Sequence, residues 1–113
     1  METINIELGE FFFKPADIQL QVGQPYKIIL DNRNGGVKHE ATAGGFFNTV
    51  AFRKVQDASG EFKTPAPLEI EVFAGKETEL FLIPTKVGTY ELVCEIEGHY
   101  EAGMFGTITV TDS

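Results

Sequence analysis

The sequence predicts an all-β protein, folded as a Greek-key antiparallel β-sandwich or barrel. Apolar and polar side chains alternate through most of the chain, which is the pattern of strands with one buried face. Glycine, proline and asparagine residues typical of turns separate these runs at regular intervals. The chain has 113 residues, the usual length of one domain, so we expect residues 1–113 to form a single unit.

The predicted strands follow one another along the chain, each with an apolar face. The turn signals between them lie at 22–25, 32–36, 74–76 and 87–88. In chain order, the apolar faces are Ile4, Ile6 and Leu8; Ile18, Leu20 and Val22; Tyr26, Ile28 and Leu30; Leu68, Ile70 and Val72; Leu80 and Leu82; Tyr90, Leu92 and Cys94; and Ile108 and Val110.

Two stretches depart from this alternation. Residues 44–67 show no clear period and are interpreted as a long loop, a hairpin or a short helix. Pro65 and Pro67 indicate extended backbone with few hydrogen-bond donors at its end. Phe11, Phe12 and Phe13 are consecutive, so at least one of them must point away from the core of a strand.

Charge and composition exclude several classes of function. The chain has 9 Lys and Arg residues against 17 Asp and Glu, a net charge of -8, which argues against a nucleic acid or an anionic membrane as partner. Its single Cys excludes an intrachain disulfide and any zinc site built on several thiolates. No apolar run reaches the roughly 20 residues of a membrane helix.

The N-terminus shows no signal-peptide pattern, so we expect either a cytoplasmic protein with its own start or a mature exported domain with an added Met.

The most informative motif is Cys-x4-His-x4-Met, formed by Cys94, His99 and Met104 between the last two predicted strands. Thiolate and thioether are soft ligands and imidazole is borderline, so this set favours copper over magnesium or calcium. Two imidazoles and one thiolate in a plane, with a weak axial Met, make the blue-copper arrangement. The second imidazole must come from His39, the only other His. A catalytic zinc ion is the alternative, although Met104 is a poor zinc ligand.

These residues give the chain a resemblance to the cupredoxin family of small blue copper proteins, in particular to long-loop prokaryotic members such as rusticyanin. The ligand loop and its flanking strands, residues 88–110, carry most of it. The first half, from Phe13-Lys14-Pro15 to His39, carries the rest. The resemblance implies one copper ion cycling between Cu(I) and Cu(II), with His39, Cys94 and His99 as ligands and Met104 axial. The carbonyl of Lys38 is a candidate for a further distant axial contact.

Two positions in this site differ from many family members. Glu40 follows the first His, where its backbone N–H is expected to donate to the sulfur of Cys94. Glu97 precedes the Gly-His pair of the loop. An acidic group there is expected to favour Cu(II) and lower the reduction potential.

The resemblance further implies a one-electron carrier between redox partners such as a cytochrome or an oxidase, and no enzymatic activity. We expect a monomer in the periplasm or another extracytoplasmic compartment. His99 is the expected exit path for the electron. Copper resistance or buffering without a redox partner is the alternative function, because its ligand set is the same. An enzyme with Cys94 as nucleophile and a plain sandwich binding module are weaker alternatives.

The surface around the motif has an apolar and an acidic candidate region. Tyr100, Ala102 and Phe105 lie beside His99 in sequence and are interpreted as core or as a small apolar docking patch. Glu95, Glu97 and Glu101 are most simply a solvated face. Their alternative role is to attract a basic partner, which would make association salt-dependent.

Overall fold

A computed structural model of the chain describes residues 1–57, 60–62 and 69–112, without the side chain of Phe62. The all-β prediction is confirmed, since strands make up most of this part. The single four-residue helix in these ranges is too short to cross a membrane. The elements are β1 Glu2–Gly9, β2 Phe12–Lys14, β3 Asp17–Gln21, β4 Tyr26–Asp31, β5 His39–Thr42, α1 Gly44–Phe47, β6 Val50–Asp57, β7 Gly60–Phe62, β8 Glu69–Val72, β9 Glu77–Pro84, β10 Gly88–Val93 and β11 Phe105–Thr111.

The strands form a sandwich of two sheets around one apolar core. The first sheet has six strands in the order β2-β1-β4-β9-β6-β7, and the second has five in the order β3-β11-β10-β5-β8. Each aliphatic side chain buried between them contributes about 1.5–3 kcal/mol. The predicted apolar faces supply this core: Ile6, Leu8, Tyr26, Ile28, Leu30, Leu80 and Leu82 in the first sheet, and Ile18, Leu20, Ile70, Val72, Leu92, Ile108 and Val110 in the second.

Two strand pairs differ from the predicted antiparallel pattern. β1 runs parallel to β4, and β3 runs parallel to β11. Between β1 and β4 the chain crosses to the second sheet to form β3 and then returns. Such a crossover is what a parallel pair requires, because a tight hairpin can join only antiparallel strands. Both sheets are therefore mixed.

The stretch 44–67 contains both a short helix and a hairpin in its described part. α1 buries Phe46 and Phe47, and β6 pairs with β7 through residues 55–57 and 60–62. The sequence of β6 shows no regular alternation of apolar and polar residues because the register of β6 with β9 shifts between Phe52 and Lys54. One extra residue at such a bulge moves the following side chains to the other face. Pro65, Pro67 and Leu68 lie outside the described residues.

Asn32 fixes the turn that leads into β5. Its side-chain Nδ2 donates to the carbonyl oxygens of Val37 and Val72, both at 2.9 Å, and the residue is fully buried. Val72 is the register partner of His39 between β8 and β5. Asn32 therefore links the segment before His39 to the strand that pairs with His39.

We predict that Asn32→Ala lowers the free energy of unfolding by about 2 kcal/mol, because one buried and one part-buried carbonyl lose their donor. Urea denaturation of the metal-free protein measures this change. Asn34→Ala is the matched control, since Asn34 is exposed on the same turn and should change stability by less than about 0.5 kcal/mol. Equal effects of the two substitutions would contradict the role given to Asn32.

A bidentate ion pair closes the same turn. Nε of Arg33 donates to Oδ1 of Asp31, and its NH2 group donates to Oδ2, both at 2.9 Å. Hydrogen bonding from Arg33 lowers the pKa of Asp31 to about 2. The folded state therefore favours the carboxylate form of Asp31.

We predict a pH-dependent loss of stability in Asp31→Asn. The contribution of Asp31 is complete above its unfolded pKa of about 3.9 and disappears as the pH falls toward about 2. Because the Arg33 side chain is 60% exposed, solvent screening limits the loss near pH 7 to about 1 kcal/mol. Urea denaturation of both proteins from pH 7 to pH 3 tests this, and a difference that does not shrink with acid would contradict it.

Candidate metal centre

His39, Cys94 and His99 meet at one end of the five-stranded sheet. His39 begins β5, and Cys94 directly follows β10. These two strands are neighbours, with Val93 opposite Thr42. His99 lies on the loop from β10 to β11. One potential ligand atom from each of the three residues lies within 4.8 Å of the others, so the structure brings together the three equatorial ligands predicted from the sequence.

Backbone hydrogen bonds fold the loop after Cys94 into consecutive turns. The N–H of Met104 donates to the carbonyl of His99 at 3.0 Å, and the N–H of Cys94 donates to the carbonyl of Met104 at 3.2 Å. Gly98 and Gly103 have φ angles of 83° and 111°, in the region where a side chain is strained. These glycines let the loop bring the Met104 backbone back to both His99 and Cys94, and the Met104 side chain is fully buried.

The sulfur of Cys94 has two close polar neighbours. The backbone N–H of Glu40 donates to Sγ at 3.4 Å, as the sequence predicted. Nδ1 of His99 lies 3.3 Å from the same sulfur. Cys94 is completely buried. The thiolate is the form of cysteine that binds metals.

His39 has the burial and the unpartnered ring nitrogens expected of a metal ligand. It is completely buried, and neither ring nitrogen has a hydrogen-bond partner among the described residues. Buried polar atoms without a partner are uncommon and call for an explanation such as an ion. Burial lowers the pKa of His39, an effect that nearby Glu10 opposes in part. The neutral imidazole, which is the metal-binding form, is therefore favoured.

Two residues beside the site were not identified from the sequence. The ring of Phe11 lies 4.6 Å from that of His99 and 6.4 Å from that of His39, measured between centroids. Oε2 of Glu10 lies 3.5 Å from Nε2 of His39. The only sequence feature that drew attention to this region was the run of three Phe residues, of which at least one was expected to point away from the core. Phe13 is buried, whereas Phe11 and Phe12 are partly exposed.

Two exposed aromatic side chains pack together near His99 in the sequence. The Tyr100 and Phe105 side chains are 46% and 50% exposed, and their rings lie 5.2 Å apart. His99 itself is only 8% exposed. Ala102 and the acidic residues Glu95, Glu97 and Glu101 are also exposed. The apolar and acidic regions thus lie at the surface, while their roles in docking and the effect of Glu97 on the potential stay predictions.

Comparison with known proteins agrees with this fold and site, although no family model matches the sequence. A protein from Rubrivivax gelatinosus named copper-resistant cuproprotein CopI is 32% identical over 109 residues, 96% of this chain and 66% of that protein. A protein of the same name from Pseudomonas aeruginosa is 27% identical over 137 residues, 96% of this chain and 75% of that protein. This chain therefore covers about two thirds to three quarters of these relatives.

Among solved structures, auracyanin B matches with a TM-score of 0.66 and 25% identity, over 97% of this chain and 88% of that one. The sandwich, the His-Cys-His cluster and these similarities define the class of protein. The chain belongs to the cupredoxin family and binds one copper ion.

Proposed function

We propose that this protein is a mononuclear type 1 copper protein that carries single electrons between redox partners. In this proposal His39, Cys94 and His99 bind the copper ion equatorially, and Met104 is the axial ligand. The observation that carries the proposal is the buried cluster of one thiol and two imidazoles whose ligand atoms lie within 4.8 Å of one another. Copper bound by such a set supplies reversible one-electron chemistry.

The surroundings of the cluster support electron transfer because they hold the ligands in place. His39 is fixed by strand pairing with β8, and Cys94 and His99 are fixed by backbone hydrogen bonds within the loop. Ligands that are positioned by the fold rearrange little when the metal changes its charge. Electron transfer is faster when less rearrangement accompanies it.

His99 is the proposed point where electrons enter and leave. It is the most exposed of the four proposed ligands, and the exposed rings of Tyr100 and Phe105 offer a partner an apolar contact. Glu97 and Glu101 add negative charge to the same loop, which would steer a basic partner toward His99. The proposed partner is a cytochrome or an oxidase, met by a single-domain monomer in the periplasm or another extracytoplasmic compartment.

Substitution of the ligands tests their assignment. We predict that the Cu(II)-loaded protein has an intense blue or green colour, and that Cys94→Ser abolishes this colour because it removes the thiolate. Met104→Leu should keep the colour and change the reduction potential, since the axial ligand tunes the site. Visible spectra and redox titrations of the three proteins measure these effects. Colour that persists in Cys94→Ser would contradict the assignment.

Copper resistance is the second candidate function. The two CopI proteins carry it in their name, and the same site would bind copper in either role. However, the chain has one Cys, two His and two Met, enough soft and borderline donors for one such site. A protein that stores copper would have a small capacity if it bound one ion per chain. This favours the role of electron carrier over that of copper storage.

The complete burial of Cys94 argues against an enzyme that uses this residue as its nucleophile.

A kinetic experiment distinguishes an electron carrier from a protein that only stores copper. We predict that a reduced basic cytochrome transfers its electron to the Cu(II) protein rapidly, and that added salt slows this step because it screens the attraction between the partners. Stopped-flow absorbance measures the rate. Glu97→Gln/Glu101→Gln should be slower at low salt and should approach the parent protein at high salt.

Slow electron transfer whose rate does not depend on salt, together with release of copper to a chelator of moderate affinity, would instead favour copper storage.

A further inference from the structure

We infer that Glu10 is a positioning residue for His39: its carboxylate orients the imidazole so that Nδ1 faces the copper site, and its charge favours Cu(II). This inference rests on the ligand set proposed above. It concerns a residue of the turn between β1 and β2, which belongs to the other sheet and contributes no proposed ligand.

The carboxylate of Glu10 bridges two parts of the segment that carries His39. Oε1 accepts a hydrogen bond from the backbone N–H of Gly36 at 2.5 Å. Oε2 lies 3.5 Å from Nε2 of His39. Because one oxygen is held by the turn at Gly36, the other is directed at the outer nitrogen of the imidazole.

This contact determines which nitrogen of His39 is available to a metal. A neutral imidazole has one N–H and one lone pair. A carboxylate next to Nε2 favours the proton on that nitrogen, which leaves the lone pair on Nδ1. The separation of 3.5 Å is longer than a hydrogen bond, and a shift of about 0.5 Å would form one. Carboxylate partners of this kind orient metal-binding histidines and raise their basicity.

The charge of Glu10 acts on the metal as well. Its carboxylate lies 3.5 Å from Nε2 of the fully buried His39, so its charge acts at short range on a proposed ligand. A negative charge near the site stabilises Cu(II) more than Cu(I), because the interaction grows with the charge of the ion. The neighbouring residue Phe11 packs against the ring of His99 and approaches the ring of His39 edge-on.

Three variants test the inference. Glu10→Gln keeps the oxygen acceptor and removes the charge, whereas Glu10→Ala removes both. Glu101→Gln is the matched control, since it removes the same charge from an exposed position on the loop that carries His99. For each protein we would measure the visible spectrum, the Cu(II) affinity by competition with a chelator, the reduction potential and the unfolding of the metal-free form.

We expect Glu10→Ala to lose about 10-fold to 100-fold in Cu(II) affinity, the usual effect of removing a partner of a metal-binding His. Glu10→Gln should recover most of this loss and should raise the reduction potential more than Glu101→Gln does. In the metal-free protein at neutral pH, long-range 1H-15N spectra should show the Nε2–H tautomer of His39, and Glu10→Ala should weaken this preference.

The outcomes separate this inference from the proposed function. A coloured parent protein whose affinity, potential and tautomer are the same in Glu10→Ala as in Glu101→Gln would overturn the role of Glu10 alone. A stability loss in Glu10→Ala without changes in potential or tautomer would also overturn it, because that is the effect of a merely structural residue. A parent protein that forms no coloured copper complex would overturn the proposed function together with the inference.

Discussion

The contact between the backbone N–H of Glu40 and the sulfur of Cys94, at 3.4 Å, is the interaction on which the site depends. It joins the start of β5 to the end of β10, the neighbouring strands that carry His39 and Cys94. Because the donor belongs to the backbone, the contact is a consequence of strand pairing and does not require a particular side chain at position 40. The pairing of β5 with β10 thus brings the sulfur of Cys94 close to the start of β5, where His39 lies.

The polar atoms of the site are buried at a cost that the fold alone does not recover. Nδ1 of His39 has no hydrogen-bond partner among the described residues, and the buried sulfur of Cys94 has two polar neighbours. Burying polar groups without partners costs free energy, and binding a metal ion returns it. The surrounding interactions stabilise this arrangement: Asn32 holds the turn before His39, the loop hydrogen bonds hold His99, and Phe11 packs against the ring of His99.

The sequence predicted the parts of the structure that depend on periodicity and on rare residue types. Alternation identified the core strands because one face of each is buried, and the three predicted equatorial ligands were identified because the chain has so few Cys and His residues. β5 was too short to show a period, and the register shift at Phe52 and Lys54 hid β6. Glu10 approaches His39 only through the packing of a turn of one sheet against the end of the other, so no local pattern indicates it.

X-ray absorption spectroscopy of the copper-loaded protein, in the oxidised and the reduced state, tests the central claim most directly. If the fold positions the ligands, the copper ion should have one sulfur and two imidazole nitrogens as its near neighbours in both states, with small changes in distance between them. A spectrum without a sulfur neighbour would contradict the account, and so would the gain or loss of a near ligand when the copper is reduced.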